Sequence, residues 1–157
     1  MKAFRGIKNI ILDQLKQGVE PRVLSWTIAW GITLSLFPIL GATTLLCFLV
    51  ATIKRYNQPV IQAANYLSAP LQLLLIPVFM KAGEAVFHLP AFPFNPSTLF
   101  SEFTKDPVLF LEKGGWSALA GVFIWGLIAF PLAWILQTVF HPVLNRAMNL
   151  QKPKSPK

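Results

Sequence analysis

The sequence is poor in charge, in histidine and in cysteine, and each shortage excludes a class of protein. Only 13% of its 157 residues are charged, against about 25% in soluble globular domains, so polar side chains to cover a water-exposed surface are lacking. A single cysteine, Cys47, excludes an internal disulfide. The two histidines, His88 and His141, lie far apart and form no cluster with metal-ligand spacing. We therefore expect neither a metal nor a cofactor.

The motifs that carry catalysis are also absent. There is no Gly-x-Ser-x-Gly nucleophile turn and no glycine-rich phosphate loop, and the six carboxylates all lie outside the longest apolar runs. Cys47 stands among leucine and phenylalanine, where a small apolar packing residue is expected. The sequence therefore predicts a protein that is not an enzyme.

The positive charge of the chain borders its apolar segments. The net charge of +8 divides into +3 over residues 1–22, +2 at Lys54 and Arg55, −1 over residues 81–113 and +4 over residues 146–157. Binding of DNA or RNA needs basic side chains gathered on one face, so no nucleic-acid partner is expected. Basic residues that flank apolar runs are typical of proteins oriented in a membrane.

Hydrophobic residues make up 54% of the chain, and they form three long uncharged stretches at 23–53, 56–80 and 114–145. A membrane-spanning helix needs about 20 apolar residues. The core of the third stretch, 116–140, meets this requirement, and the second stretch meets it by length although it contains Pro70 and Pro77. We therefore predict an all-α, multi-pass helical membrane protein with a transmembrane helix over 116–145.

The first stretch is too long for one upright span and too short for two. Its middle, residues 37–41, reads Phe-Pro-Ile-Leu-Gly. Proline disrupts the helical hydrogen-bond ladder and glycine permits a tight reversal, so we predict two half-helices, 22–36 and 42–53. They form either a re-entrant hairpin or a kinked span. The basic Arg22 before the run and Lys54 after it favour the hairpin, since both then remain on one side.

The remaining segments complete the expected organisation. An apolar stripe in residues 1–18 predicts an amphipathic helix, either on the membrane surface or as a soluble cap. A membrane core with broken helices covers 20–88, and 89–115 is an extramembrane loop with short helices that start at Ser97 and Asp106 and end at Lys105 and Gly114. A basic tail occupies 146–157. Both termini are expected to be cytoplasmic and the loop external.

Four amides in the second stretch fall on one side of a helix. Gln58, Gln62, Asn65 and Gln72 lie within a stripe if the helix continues past Pro70. An amide that faces lipid leaves donors and acceptors unpaired, so the stripe faces protein or a water-filled cavity. Two interpretations stay open: hydrogen bonds between helices, or a polar path or head-group site.

Other polar and small residues have simpler interpretations. Thr27, Gly31 and Ser35 recur every four residues and are expected to pack helices closely. Lys81 and Glu84, three residues apart, are expected to form an interfacial ion pair.

Six short segments occur in a specific order over about residues 20–88. They are Pro21, 29–31 (Ala-Trp-Gly), 37–44 (Phe-Pro-Ile-Leu-Gly-Ala-Thr-Thr), 54–59 (Lys-Arg-Tyr-Asn-Gln-Pro), 65–72 (Asn-Tyr-Leu-Ser-Ala-Pro-Leu-Gln) and 81–84 (Lys-Ala-Gly-Glu). Together they resemble the bacterial family catalogued as domain of unknown function 2062. Where many members have Asn-Pro, this chain has Ala69 and Pro70, so a role of that asparagine carries over only if Asn65 replaces it.

The resemblance implies a multi-pass protein of the bacterial inner membrane. Members occur alone or joined to glycosyltransferase-type domains, which implies an association with envelope glycan or lipid metabolism. It implies no defined activity.

These observations lead to two hypotheses of different classes. In the first, helices broken near 38–41 and 68–70 meet at mid-membrane and handle a small or lipid-linked solute, as a transporter or flippase-like unit that is expected to be a homo-oligomer. Its ligand-binding residues are Pro38, Gly41, Arg55, Gln62, Asn65 and Gln72. In the second, the protein is a non-catalytic scaffold that recruits an envelope enzyme. Membrane lipids are partners in both.

Overall fold

The computed structural model describes residues 19–151, and every regular element in this range is an α-helix. The helices are α1 (Pro21–Ser35), α2 (Ala42–Lys54), α3 (Gln58–Phe87), α4 (Pro96–Lys105) and α5 (Pro107–Gln151). The predicted all-α class is confirmed for this range. The predicted surface helix over 1–18 and residues 152–157 of the basic tail lie outside the described residues.

The predicted break in the first apolar stretch is confirmed. α1 ends at Ser35 and α2 begins at Ala42. Gly41 caps the start of α2 with φ 85°, a left-handed conformation that a glycine adopts without strain. Pro38 is buried beside it. Proline therefore ends the helical hydrogen-bond ladder here, and glycine turns the chain.

α1 runs parallel to the first half of α3. Near the start of both helices, Leu24 and Val60 share a buried cluster. Seven residues further along α1, Gly31 lies so close to Ala64 that a Cβ on the glycine would be 2.7 Å from the alanine Cβ. Since residue numbers rise together along the two helices, their directions agree.

α2 runs in the opposite direction. The Thr44 carbonyl accepts a hydrogen bond from Gln62, whereas the Phe48 carbonyl, further along α2, accepts one from Gln58. Residue numbers therefore fall on α3 as they rise on α2. α1 and α2 form a helical hairpin against α3, and the chain reverses at residues 36–41 as the hairpin interpretation predicted.

The predicted second break, at residues 68–70, is wrong. α3 is continuous from Gln58 to Phe87 and contains both Pro70 and Pro77. A proline inside a helix removes one hydrogen bond and bends the helix, but the helix resumes beyond it. No glycine follows Pro70 closely to reverse the chain.

α5 is longer than predicted at both ends. It runs without interruption from Pro107 to Gln151, so the expected helix end at Gly114 and the expected start of the tail at residue 146 are not observed. Gly114 is a packing position instead, because a Cβ there would be 3.0 Å from the Phe92 ring. Its lack of a side chain makes room for an aromatic ring without ending the helix.

α5 lies antiparallel to α3 along its length. Leu144 joins the cluster of Leu24 and Val60, whereas Ala120 lies against Gly83 near the far end of α3. A Cβ on Gly83 would be 2.5 Å from the Ala120 backbone. Small residues thus allow α3 and α5 to approach closely. Gly83 and Ala120 were not among the predicted packing residues, whereas Gly31, which lies against Ala64, was.

The outer surface of this bundle is apolar. α3 and α5 are long and apolar enough to cross a membrane, by length and composition. Only 28% and 22% of their most apolar segments are buried inside the molecule, whereas a core helix of a soluble protein is mostly buried. Large side chains such as Leu74, Leu127 and Phe130 face outward.

Candidate functional site

The hairpin turn lies level with the middle of α3. The Phe37 carbonyl of the turn contacts Gln72, which is fifteenth among the 30 residues of α3. At 1.5 Å per residue, Gln72 is about 21 Å from the start of α3 and about 22 Å from its end. The hairpin therefore covers half the length of α3 and ends at its midpoint.

The backbone freed at the turn is satisfied by side chains from two other helices. Gln72 Nε2 donates to the Phe37 carbonyl at 2.8 Å, and the Gln72 side chain is only 5% exposed. Trp125 Nε1 of α5 donates to the Thr33 carbonyl at 3.1 Å, and its ring meets the Phe37 ring edge-on at 5.0 Å. The Phe37 carbonyl lies beyond the end of α1 and accepts from Gln72, whereas the Thr33 carbonyl also accepts from the Leu36 backbone N–H at 3.2 Å. The last carbonyls of a helix lack their full set of partners within it, so both side-chain contacts stabilise the break.

Trp125 is a site residue that the sequence analysis missed. A signal was available: the indole N–H of a tryptophan in the middle of an apolar run needs an acceptor, unlike that of a tryptophan at a membrane surface. Nothing in the sequence indicates that this acceptor is the Thr33 carbonyl of α1.

The other amides join α2 to α3 along a line that we call the amide seam, defined by Gln58, Gln62, Asn65 and Gln72. Gln58 Nε2 donates to the Phe48 carbonyl at 3.1 Å and to Thr52 Oγ1 at 3.2 Å. Gln62 Nε2 donates to the Thr44 carbonyl at 3.1 Å, and Asn65 Nδ2 donates to Gln62 Oε1 at 3.4 Å.

The amides face protein, as the stripe predicted, and each donates to a neighbour within the hairpin bundle. The seam runs from the end of α2 and the start of α3 up to the turn. Its hydrogen bonds add to the apolar contacts that hold the hairpin against α3, such as those of Leu34 and Cys47 with Ile61.

The structure separates the predicted ligand-binding residues into three levels. Pro38 and Gly41 lie in the turn, which Gln72 contacts through the Phe37 carbonyl. Gln62 and Asn65 lie between the turn and the start of α3. Arg55 caps the C-terminus of α2, with φ 56° and an exposed side chain. It therefore lies at the far end of the seam and does not contact the turn.

Four basic residues gather at the end of the bundle where α1 and α3 begin and α2 ends. This basic end holds Arg22, Lys54, Arg55 and, near the end of α5, Arg146. Beside it, burial raises the pKa of the Tyr56 phenol above its ordinary value, so the phenol is uncharged at neutral pH. The carboxylates of residues 84–112 all lie toward the opposite end.

The opposite end carries an aromatic cover, which consists of the contacting rings of Phe92, Phe94, Phe103 and Phe110. The predicted Lys81–Glu84 ion pair is not observed there. Buried Glu84 accepts a hydrogen bond from the Phe92 backbone N–H at 3.0 Å through its Oε1 atom. Lys81 Nζ lies 5.9 Å from the Phe94 ring centroid, a cation–π distance. The loop after α3 folds back and gives both side chains other partners, which spacing along one helix did not reveal.

Within residues 19–151, no group of three histidine, cysteine or carboxylate side chains has a geometry that could hold a metal ion. Thr33 Oγ1 and Ser117 Oγ are buried without a hydrogen-bond partner. At the helix break, the described residues offer hydrogen bonding by the Gln72 amide, the Trp125 indole and the carbonyls of Phe37 and Thr33.

The geometry defines an all-helical protein in which a half-length hairpin packs on two helices long and apolar enough to span a membrane. The chain belongs to a family of uncharacterized proteins conserved in bacteria, domain of unknown function 2062, whose model matches residues 4–147. The match extends well beyond residues 20–88, which contain the six short segments of the resemblance. Comparisons with curated proteins and with solved structures found no match.

Proposed function

We propose that the protein is a multi-pass protein of the bacterial inner membrane in which α3 and α5 cross the bilayer and the α1–α2 hairpin is re-entrant. The hairpin covers only the first half of α3, so its turn falls near the middle of a bilayer that α3 spans. Backbone that leaves the helix at that depth needs protein partners, and Gln72 and Trp125 supply them.

The charge distribution sets the proposed orientation. The basic end collects the arginine and lysine side chains that border three helices, and the opposite end has a small net negative charge. Basic residues are retained on the cytoplasmic side of membrane proteins. The basic end and both chain termini are therefore cytoplasmic. The aromatic cover and α4 are external.

Within this placement, the hairpin handles a small or lipid-linked solute as a transporter or flippase-like unit. The observation that carries the proposal is the turn at mid-height, held by single side-chain hydrogen bonds such as that from Gln72 to the Phe37 carbonyl. A solute that offers acceptor oxygens competes for the same amide donors. Exchange of these bonds would release the turn and pass the solute along the amide seam.

Each predicted ligand residue has a place in this mechanism. Arg55 stands exposed at the cytoplasmic mouth of the seam, where it attracts an anionic head group. Gln62 and Asn65 offer the next donors. Pro38 and Gly41 shape the turn that moves when Gln72 changes partner.

One observation favours a second candidate, a membrane scaffold for an envelope enzyme. Every amide of the seam already donates a hydrogen bond inside the bundle, which is what a purely structural role requires. A scaffold needs a rigid hairpin, whereas a translocator needs a hairpin that moves.

A cross-link between the turn and α5 distinguishes the two. In a Cys47→Ala background, Phe37→Cys and Trp125→Cys are joined with a short bifunctional maleimide, since the two rings are 5.0 Å apart and neither is one of the six predicted ligand-binding residues. The protein is placed in proteoliposomes with fluorescent phosphatidylglycerol and, separately, a fluorescent polyprenyl phosphate. Transbilayer movement is read as the fraction of probe that external dithionite bleaches.

We expect movement of at least one probe before cross-linking and its loss afterwards. The matched control joins Phe103→Cys and Phe110→Cys, whose rings are 5.7 Å apart in the aromatic cover, and it should leave movement intact. No movement of either probe, or equal movement before and after the Phe37–Trp125 cross-link, contradicts translocation and favours the scaffold.

A further inference from the structure

A cleft opens between α3 and α5 at the end of the molecule opposite the basic end. A cavity of about 330 Å³ is lined by Phe87, Leu89, Trp116, Leu119, Ala120 and Phe123. A second cavity of about 220 Å³ shares Leu89 and Trp116 with it and extends toward Glu112, Lys113 and Ser117. We call the two together the Trp116 cleft. Its volume falls in the range of small-molecule sites.

The lining of the Trp116 cleft changes from apolar to charged along α5. Phe123 and Leu119 line the part toward the middle of the bundle, and Glu112 and Lys113 line the part toward its end. Residues 112 and 123 are eleven positions apart, about 16 Å along the helix axis. The described part of the chain provides no ion-pair partner for either charge. An amphiphile with its head at the charges and its tail at Phe123 matches this gradient.

A buried hydroxyl lies between the two regions. Ser117 lines the second cavity and is 1% exposed, and its Oγ has no hydrogen-bond partner. It is four residues after Lys113 and therefore lies on the same side of α5. A buried hydroxyl without a partner is unfavourable, and an acceptor oxygen on a bound molecule removes that cost.

We propose that the Trp116 cleft binds one zwitterionic phospholipid that carries a primary amine. Its phosphate pairs with Lys113, its ammonium with Glu112, and an ester oxygen accepts from Ser117. One acyl chain follows Trp116, Leu119 and Phe123. A singly anionic head group leaves Glu112 uncompensated, so the adjacent opposite charges select a zwitterion. The proposal rests on the membrane placement and is independent of transport at the hairpin.

Native mass spectrometry of the purified full chain in detergent tests this site. Phosphatidylethanolamine, phosphatidylglycerol and palmitate are each added at matched concentrations. We expect one phosphatidylethanolamine per chain, retained at least fivefold more than either alternative. Leu119→Trp fills the cleft and should reduce retention at least fivefold. The matched control is Leu127→Trp on the same helix, since the two leucines are 58% and 62% exposed and Leu127 does not line the cleft.

Two further variants test the head-group contacts. Lys113→Gln should weaken phosphatidylethanolamine and phosphatidylglycerol alike, and Glu112→Gln should remove the preference between them. Because Glu112 is exposed, its variant keeps the fold even if Leu119→Trp does not. The proposal is overturned by equal retention of all three amphiphiles by the unaltered chain, by an unchanged preference in Glu112→Gln, or by equal losses in Leu119→Trp and Leu127→Trp.

Discussion

At the scale of single residues, the closest contact between α1 and α3 depends on the missing side chain of Gly31. A Cβ at this position would lie 2.7 Å from Ala64 Cβ and 2.8 Å from the Ile61 carbonyl oxygen. Because one of these neighbours is backbone, the helices must separate to accept a methyl group. We expect Gly31→Ala to lower the free energy of unfolding by about 1–3 kcal/mol, the usual cost of overpacking. Unfolding of the purified protein in mixed micelles measures it.

Gly126→Ala is the matched control, since nothing lies within 4 Å of the position that its Cβ would occupy. Alanine also has a higher helix propensity than glycine, by about 1 kcal/mol, so this variant should be neutral or stabilising. Equal effects of Gly31→Ala and Gly126→Ala would contradict the close approach of α1 and α3.

Residue types predicted which side chains face protein but not always what they contact. Helical spacing placed Gln62 and Gln72 on one side of the helix. That side was predicted to face protein because an amide in an apolar helix needs hydrogen-bond partners wherever the helix lies. The partner of Glu84 was predicted wrongly. Its hydrogen bond goes to Phe92, eight residues away in a loop, and the return path of a loop is not encoded in helical spacing.

At the scale of elements, the hairpin turn depends on the hydrogen bond from Gln72. Replacing Gln72 with leucine leaves the Phe37 carbonyl without its donor, at a cost of about 1–3 kcal/mol for a buried unpaired group. We expect the turn to open more often. The measurement is the labelling rate of Ile39→Cys in a Cys47→Ala background, and it should rise several-fold in Gln72→Leu.

Leu71→Met is the control for this effect, because Leu71 neighbours Gln72 on α3 but is exposed on the outer surface. Its labelling rate should equal that of the parent chain. If Gln72→Leu also leaves the rate unchanged, the turn is held by other contacts and the amide seam does not control it.

The helix breaks show what a sequence can predict about elements. The turn at Pro38 was predictable because Gly41 follows it and takes a left-handed conformation. Pro70 has no glycine close to it and Gly114 has no proline close to it. Both residues lie inside helices that continue without a break. In an apolar helix one lost hydrogen bond is tolerated, whereas ending the helix exposes several backbone groups. Within the apolar runs, Pro38 followed by Gly41 therefore marks a break, whereas Pro70 alone or Gly114 alone does not. The ends of α2 and α3 have no glycine, because Arg55 and His88 take the left-handed conformation there.

At the scale of the whole molecule, the arrangement of the helices could not be predicted from the sequence alone. The apolar runs predicted two long helices, but the direction in which α1 and α2 lie on α3 depends on which small residues meet. Gly31 against Ala64 and Gly83 against Ala120 fix the bundle, and many other small residues in the chain could have met instead. Packing of the assembled helices selects among them.

The same arrangement yields the most direct prediction for the molecule as a whole, its orientation. If the basic end is cytoplasmic and the hairpin returns to that side, Lys54 is inside and Glu102, on α4 at the opposite end, is outside. In a Cys47→Ala background, an impermeant maleimide added to intact cells should label Glu102→Cys and not Lys54→Cys. After permeabilisation both should react, because both side chains are accessible at the ends of the bundle. Labelling of Lys54→Cys in intact cells would mean that the first apolar stretch crosses the membrane, and neither the re-entrant hairpin nor solute handling at its turn would then stand.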